Sequence, residues 1–443
     1  MSWKPRQMSN QSRLDVTELE RDRYARTARI RLADRQITTP HFFTLVKNPD
    51  EFQSILDLTA EKQPPSASGC VVRLFDAQRI LGEHLANMTQ IRVDALSKYV
   101  EERFHTFLET KILVIDPATE YLFYEACLPR WTDAEALPPP ILNYARRCLT
   151  KKEELKPSEY SKWKEAYHTL FWNEMSKDAT SRNRMIGEVF DLELRYRSTI
   201  LLPPVPLVRS QRQMEISIQI NEVAHGISAG KSAEFSSYFI IQQGVLDDEE
   251  SVDELLKYLR NIPTRITVLK FKYLNLTNPG RISHLVAYRD FLQQVSFLKE
   301  TNKDRVFIIL ENGYQVFPSA TVAFDIASTS MTGYDGDSQY GQGEYGAWFD
   351  PEQMVHVAFK DLKKICRNNH NRLPCAHDIC ENIDIATIDP DSWNRVRRKH
   401  YVLTMNDYMT MIAKAIKDKK IELAIDKLIN SDISRLKKLI PRT

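Results

Sequence analysis

Eight short apolar runs recur along the chain, and each is followed by residues with a helical pattern. Amphipathic segments such as 252–260 and 288–295 lie between the runs. Alternation of short buried strands with amphipathic helices is typical of parallel βα units, and eight units predict an α/β fold of the (β/α)8 TIM-barrel class. An open doubly wound sheet is the alternative, although no Gly-x-Gly-x-x-Gly turn follows the first run. The runs are 39–46, 70–76, 111–116, 199–202, 238–243, 266–271, 305–311 and 322–327.

The spacing between the third and fourth runs is unusually long and predicts a helical insertion over about 128–197. Its aromatic side chains fall at helical spacing, and packing against the barrel is favoured over stacking on nucleic-acid bases. These aromatic residues are Trp163, Tyr167, Phe171 and Trp172. We therefore expect a barrel with its insertion over 1–360 and a zinc-binding, helical C-terminal region over 361–443.

Charge and cysteine usage narrow the class of protein. The net charge is only +2, so it does not identify a nucleic-acid binder, and basic stretches such as 395–399 fit either phosphate binding or a solvated helix face. No apolar run approaches the roughly 18 residues of a membrane helix, and the start lacks a signal segment. Three of the six cysteines lie within 366–380, which favours a local metal site over disulfides. We expect a soluble cytoplasmic protein.

Polar residues at the strand ends are candidates for chemistry, because active sites of such barrels lie at the carboxyl ends of the strands. Paired carboxylates suit acid–base work on a glycosidic bond, although an Asp in this position is also a common helix N-cap. Lys270 is expected to be an isolated charge in the barrel wall, and Lys272 to meet a phosphate or a leaving base. The candidate catalytic residues are Asp116, Asp335 and Glu311; the candidate substrate-binding residues are Asp76, Gln243, Lys272, Asn312, Ser328 and Tyr334.

A compact Cys-x-His-x-x-Cys segment predicts a zinc site. Thiolates and neutral imidazoles are preferred zinc ligands, and four of them close a tetrahedral structural site without an open position for water. The segment supplies three ligands, and the fourth is His400, with Cys366 and His370 as competitors; simple burial of free cysteines is the metal-free alternative. The predicted ligands are Cys375, His377, Cys380 and His400.

A barrel followed by this zinc segment resembles the tRNA-guanine transglycosylase superfamily. The family's Cys-x-Cys-x-x-Cys triplet is similar to 375–380 with its middle Cys replaced by His377, and the family opening is similar to 28–43. Asp116 stands where the family has an Asp-Ser-Gly-Gly motif whose Asp lies against base and sugar. Gln243 stands where a Val-Gln-Gly stretch reads the base. The resemblance implies a zinc-containing TIM barrel that acts on a glycosidic bond in nucleic acid.

Two departures bear on the reaction. Ser328 occupies the position of the family's nucleophilic Asp, and Pro117-Ala118 replaces the Gly-Gly. A Ser without a base partner is a poor nucleophile toward an anomeric carbon, which favours hydrolysis with Asp116 activating water. The expected function is therefore an N-glycosylase that removes a modified base, in DNA more than in RNA, as in antiphage members of the superfamily. Base exchange through Asp325 or Asp335, and a non-catalytic nucleic-acid-binding barrel, remain as alternatives.

Overall fold

Strands and helices alternate along most of the chain in the computed structural model. It describes residues 14–23, 25–32, 34–60, 69–87, 95–120, 141, 143–144, 160–272, 282–310, 323–330, 346–350, 355–367, 370–381 and 383–421. The strands are β1 (Leu14–Asp22), β2 (Ala25–Leu32), β3 (Arg35–Thr39), β4 (His41–Val46), β5 (Gly69–Arg73), β6 (Ile112–Asp116), β7 (Ile200–Leu201), β8 (Leu207–Val208), β9 (Glu234–Gln242), β10 (Ile266–Lys272), β11 (Val306–Leu310), β12 (Ile326–Ser330), β13 (Trp348–Asp350) and β14 (Val355–Val357). The helices are α1 (Pro49–Ala60), α2 (Leu74–Asn87), α3 (Ala95–Thr110), α4 (Tyr160–Lys177), α5 (Ala179–Arg195), α6 (Gln211–Ser228), α7 (Glu249–Asn261), α8 (Ile282–Thr301), α9 (Phe359–Arg367), α10 (Asp378–Glu381) and α11 (Pro390–Lys417).

Eight parallel strands close into a barrel in the order β4, β5, β6, β7, β9, β10, β11 and β12, and β12 pairs in parallel with β4. This closure confirms the predicted (β/α)8 TIM-barrel class. Residues of the barrel strands are almost all buried and mostly apolar, as expected of a parallel sheet covered on its outer face by helices. Side chains alternate between the interior and the helix layer, so residues two apart on one strand share a face.

The predicted insertion is helical where the structure describes it. α4 and α5 both lie between β6 and β7, where a simple βα unit would carry one helix. Phe171 and Trp172 are fully buried in the main core with their rings at 4.9 Å, so the packing interpretation is confirmed for these two residues. The side chains of Trp163 and Tyr167 lie outside the described part of the chain.

An antiparallel sheet of β1, β2 and β3 precedes the barrel and is fixed to the amino ends of its strands. Arg26 of β2 forms a fully buried ion pair with Asp325, at 2.8 Å between Nε and Oδ1, and also donates to the backbone carbonyls of Lys303 and Arg305. Asp325 directly precedes β12, and its Oδ2 accepts from the Phe307 amide at 3.0 Å. Asp325 therefore lies at the end of the barrel opposite to the predicted active site.

The C-terminal region packs directly on the barrel. Helix α11 contacts β4, α1 and the N-terminal sheet. Arg398 and Lys399, within the basic stretch 395–399, form ion pairs at 3.4 and 3.3 Å with Asp50 and Asp57 of α1. These two charges therefore help to dock a helix, which departs from both uses considered for the stretch. The division at residue 361 stays a prediction, and the small second core that surrounds the Cys/His segment already begins at Trp348.

Two of the differences between predicted and observed strand boundaries move predicted site residues. The second barrel strand ends at Arg73, and Asp76 belongs to the first turn of α2, because Leu74 already begins that helix. The eighth strand begins at Ile326 and contains Ser328, which was expected after the strand. None of the helices in the described ranges is long and apolar enough to cross a membrane.

Candidate active site and candidate metal centre

Asp116 is held by two partners inside the carboxyl end of the barrel. It is the last residue of β6; its Oδ2 lies 2.5 Å from Lys270 Nζ, and its Oδ1 accepts from the Tyr238 hydroxyl at 2.8 Å. Tyr238 is on β9 and Lys270 on β10, neither of which neighbours β6, so these contacts cross the barrel interior. All three side chains are fully buried. Opposite charge and hydrogen bonding in a low-dielectric site fix the carboxylate in one orientation.

Glu120 extends this cluster toward a second lysine. Its Oε1 lies 2.5 Å from Lys270 Nζ and 3.4 Å from Lys272 Nζ. Lys270 is therefore not the isolated charge that the sequence suggested, because it bridges two carboxylates. Lys272 does reach the predicted site, where it shares a carboxylate with Lys270. The four charges form one buried network at the ends of β6 and β10.

The turn that joins Asp116 to Glu120 has an unusual backbone. Ala118 adopts φ +53°, a left-handed conformation that glycine prefers, and its amide donates to Asp116 Oδ1 at 2.9 Å. The turn is also tied down by the Thr119 hydroxyl, which donates to the Val205 carbonyl. A non-glycine residue held in this conformation costs about 1–3 kcal/mol, and such strain concentrates at functional sites. The turn thus keeps a backbone conformation that glycine prefers, although Pro117-Ala118 stands where the family that the sequence resembles has Gly-Gly.

A second buried carboxyl group, that of Glu193 on α5, is influenced by the charge of Asp116. Burial and the negative charge of Asp116 raise the pKa of Glu193 well above its ordinary value, although the Leu202 amide donates to its Oε2 at 3.2 Å. Glu193 is fully buried, and its Oε1 has no hydrogen-bond partner within the described ranges. The raised pKa of Glu193 favours its protonated form, which is the form that a general acid requires.

Asp76 does not contribute a free carboxylate to this site. Its Oδ2 accepts from Arg73 Nε at 2.9 Å and its Oδ1 from Arg79 Nη2 at 2.8 Å, so it serves as an ion-pair partner in α2. Arg73 ends β5, in register with Asp116 on β6. The structure therefore places an arginine beside Asp116 at this end of the barrel.

The two glutamines after β9 have different surroundings. Gln242 is the last residue of the strand, in register with Lys272, and its Oε1 accepts from Arg209 Nε at 2.6 Å. Gln243, which the resemblance selected, begins a short 3-10 helix over Gln243–Asp247 and is buried. Gln242 shares the inward face of its strand with Tyr238, so it is the glutamine on the side of the ion-pair network.

Ser328 and Asp325 occupy different levels of β12. Ser328 is fully buried and in register with Phe43 of β4. Asp325 lies at the amino end of the strand, so it cannot be the displaced nucleophile considered for base exchange. Four further predicted residues lie outside the described ranges: Glu311, Asn312, Tyr334 and Asp335.

The four predicted zinc ligands come together, and their donor atoms all lie within 4.8 Å of one another. His400 Nδ1 is 3.3 Å from Cys375 Sγ, 3.6 Å from Cys380 Sγ and 3.4 Å from His377 Nδ1. Ligands of a tetrahedral ion with bonds of about 2.0–2.3 Å lie about 3.3–3.8 Å apart. The spacing therefore fits a four-coordinate metal ion. The competitors Cys366 and His370 are not part of this cluster.

Each imidazole also has a polar contact at its Nε2 atom, and this contact orients the ring toward the cluster centre. His377 Nε2 lies 2.7 Å from Asp407 Oδ2, and His400 Nε2 lies 2.8 Å from the Phe349 carbonyl. These contacts hold a proton on each Nε2 and leave each Nδ1 to a metal, the usual arrangement of metal-binding histidines. Hydrogen bonds from Cys380, His377 and His400 lower the pKa of the Cys375 thiol far below its ordinary value, which favours the thiolate form that binds metals.

Sequence reasoning missed Tyr238, Glu120 and Glu193. One signal was available, since Lys270 and Lys272 are two residues apart on a buried strand and must therefore face the same side. Tyr238 and Glu193 lie in ordinary amphipathic or apolar patterns that carry no such signal.

No protein-family model matches the chain, and no curated protein sequence is significantly similar to it.

Proposed function

We propose that the protein is a nucleic-acid N-glycosylase that removes a modified base from DNA and leaves an abasic site. The observation that carries the proposal is the fixed carboxylate of Asp116 at the carboxyl end of the barrel, held by Tyr238 and Lys270. Cleavage of a glycosidic bond passes through a transition state with positive charge on the sugar, which a buried carboxylate stabilises. The same carboxylate can orient or deprotonate the attacking water.

Proton delivery to the departing base requires an acid. Glu193 is a candidate because burial and the charge of Asp116 raise its pKa and so favour its protonated form. Asp335 and Glu311 stay candidate assistants from the sequence. In this mechanism Asp116 acts at the sugar and a protonated group acts at the base, as two carboxyl groups do in glycoside hydrolysis.

Cations around the same end of the barrel suit a phosphate backbone. Arg73 ends β5, Arg209 follows β8, and Lys272 ends β10. DNA binding depends strongly on neutralising phosphates with Arg and Lys. These residues would hold the strand while the target nucleotide leaves the base stack.

We further propose that the metal is zinc and that its role is structural. Two thiolates and two imidazoles are a preferred zinc ligand set, and four protein ligands leave no position for a reacting water. The ion would join the segment around Cys375 to helix α11, which packs on the barrel. In this proposal the zinc ion stabilises the fold, and catalysis takes place at the carboxyl ends of the barrel strands.

The test is mass spectrometry of bases released when purified protein meets unmodified, glucosylated and deazaguanine-containing DNA and RNA. Asp116→Asn is expected to abolish release from the cleaved substrate. Asp57→Asn is the matched control, because it removes an ion-paired Asp on α1 whose partners are Arg103 and Lys399 and not the Asp116 network. Equal release by wild type and Asp116→Asn would reject the assigned role.

Two other functions give different results in the same assay. A base-exchange enzyme would incorporate labelled guanine or deazaguanine, whereas a hydrolase would not. A binding barrel would retain DNA without forming abasic sites, even after loss of Asp116. A role in cytoplasmic phage defence would appear as protection against phage with modified DNA that depends on Asp116.

A further inference from the structure

Arg397 of α11 is a nearly buried arginine without an acidic partner. Only 9% of the residue is exposed, and its Nε donates to Asn394 Oδ1 at 2.7 Å. Within the described ranges its guanidinium forms no other hydrogen bond and no ion pair. Buried charges are normally paired, because moving an unpaired charge out of water is costly. The edge of the guanidinium that carries Nη1 and Nη2 is therefore suited to an anion.

Close packing against Gly346 holds this guanidinium in place. A Cβ atom added to Gly346 would lie 2.3 Å from Arg397 Cζ and Nε, so a larger residue would have to displace the guanidinium. Gly346 is itself tied to α11, because its carbonyl accepts from Trp393 Nε1 at 2.8 Å and its amide donates to Asn394 Oδ1 at 3.4 Å. Arg397 is thus preorganised and has little side-chain freedom to lose when it binds a ligand.

The charges around Arg397 leave this position positive. Arg398 pairs with Asp50 at 3.4 Å, so these two charges offset each other. The charge of Glu51 acts favourably on Arg397, but the Glu51 carboxyl accepts instead from the Lys47 amide at 2.7 Å. Burial raises the pKa of Glu51, which favours its neutral form. The guanidinium of Arg397 is therefore not neutralised by these neighbours.

Arg397 lies at the same end of the barrel as Asp116. Glu51 belongs to the first turn of α1, which follows the carboxyl end of β4. Strand β4 is next to β5, whose last residue, Arg73, is in register with Asp116. A nucleic-acid strand that reaches Asp116 would therefore arrive at the end of the barrel on which Arg397 lies.

We propose that Nη1 and Nη2 of Arg397 bind one phosphate of the nucleic-acid strand at this end of the barrel. An arginine fork can donate two parallel hydrogen bonds to a phosphate, and such charge-assisted contacts are stronger than those between neutral groups. The proposal deepens the proposed glycosylase function and rests on it for the identity of the phosphate as part of a nucleic acid. It gives α11, which carries the metal-cluster residue His400, a direct part in substrate binding.

The test measures binding of the full chain to a fluorescently labelled single-stranded oligodeoxynucleotide, by anisotropy over a series of salt concentrations. Arg397→Gln is expected to weaken binding roughly tenfold or more and to reduce the slope of log affinity against log salt by about 0.7, as for one phosphate contact on a single strand. Arg395→Gln changes an exposed arginine of the same helix and should leave both nearly unchanged. Equal losses in the two variants would indicate general attraction by the basic stretch and would overturn the proposal.

A second experiment separates a strand phosphate from a free one. Melting is measured without DNA in inorganic phosphate and in chloride at equal ionic strength. If inorganic phosphate stabilises the wild type but not Arg397→Gln, and DNA binding does not depend on Arg397, the position binds a small anion and the strand assignment is wrong. A crystal structure of the wild type with the oligonucleotide decides the matter even where Arg397→Gln fails to fold. A strand phosphate within hydrogen-bond distance of Nη1 or Nη2 supports the proposal, and its absence there overturns it.

Failure of the glycosylase proposal is a separate result, because the binding assay does not depend on base release. A phosphate contact that depends on Arg397, found without base release, rejects only the glycosylase. Base release together with unchanged binding by Arg397→Gln rejects only the role of Arg397. Failure of the folded wild type to bind the oligonucleotide also overturns that role.

Discussion

Lys270 Nζ lies 2.5 Å from Asp116 Oδ2, and both side chains are fully buried. Removing one member of such a pair leaves an uncompensated buried charge, which costs about 3–5 kcal/mol of unfolding free energy. We therefore expect Lys270→Met to be strongly destabilised and Asp116→Asn in the same chain to restore part of the loss. Denaturant unfolding of the two single variants and the double variant measures this coupling. Additive losses would show that the two charges do not stabilise each other.

Tyr238→Phe removes the hydroxyl that donates to Asp116 Oδ1 at 2.8 Å. A hydrogen bond to a charged group contributes about 1.5–3 kcal/mol, so base release is expected to fall roughly tenfold to a hundredfold. Single-turnover release of the base by folded protein is the measurement. Tyr258→Phe is the control, since that tyrosine lies on α7 and packs against Phe239 on the outer face of β9. Equal losses in both variants would contradict a specific role for Tyr238.

The barrel was predictable from sequence because its strands are short apolar runs that local patterning reveals. Asp116 was predictable for the same reason, since it ends such a run. Its partner Lys270 is 154 residues away, and the contact exists only because the barrel closes. A charge on a buried strand gives no indication of which strand it faces, so the sequence left Lys270 isolated.

The metal cluster was predictable to the residue because three of its ligands are close in sequence and their spacing is itself the signal. The predicted position of the eighth strand was wrong for a different reason. Phe324-Asp325 continues an apolar pattern, but Arg26 holds Asp325 just before the strand begins. That ion pair joins residues 299 apart and has no local signature.

One zinc ion per chain is expected in protein purified without chelators, as measured by elemental analysis. Cys380→Ser should lose the metal and lower the melting temperature, because a structural zinc site contributes directly to folding free energy. Cys366→Ser is the matched control, since Cys366 is fully buried in the same small core but lies outside the ligand cluster. Retention of zinc by Cys380→Ser, or its loss from Cys366→Ser, would contradict the ligand assignment.

Asp325→Asn separates a structural role from a catalytic one. Loss of this charge leaves Arg26 buried without its ion pair, so the unfolding free energy should fall by about 3–5 kcal/mol. Base release per folded molecule should be unchanged, because Asp325 lies at the amino end of the strand. Asp304→Asn, which removes an exposed partner of Arg265, should change the unfolding free energy by less than about 1 kcal/mol. A large fall in base release by folded Asp325→Asn would contradict the purely structural role.

Lys299, on α8, makes the unfolding free energy of the protein depend on pH in the alkaline range. Burial lowers its pKa from 10.5 to about 7, with Arg26 and Arg21 acting in the same direction and Asp325 and Glu18 opposing them. Between these two pH values the unfolded chain binds a proton that the folded protein does not, so the unfolding free energy gains about 1.4 kcal/mol per pH unit from this residue. Below about pH 7 the slope from Lys299 disappears, since both states are protonated. Denaturant unfolding from pH 7 to 10 should show this rise in wild type and in Lys303→Met, an exposed control. Lys299→Met should lack it, and an unchanged rise in that variant would show that another group titrates.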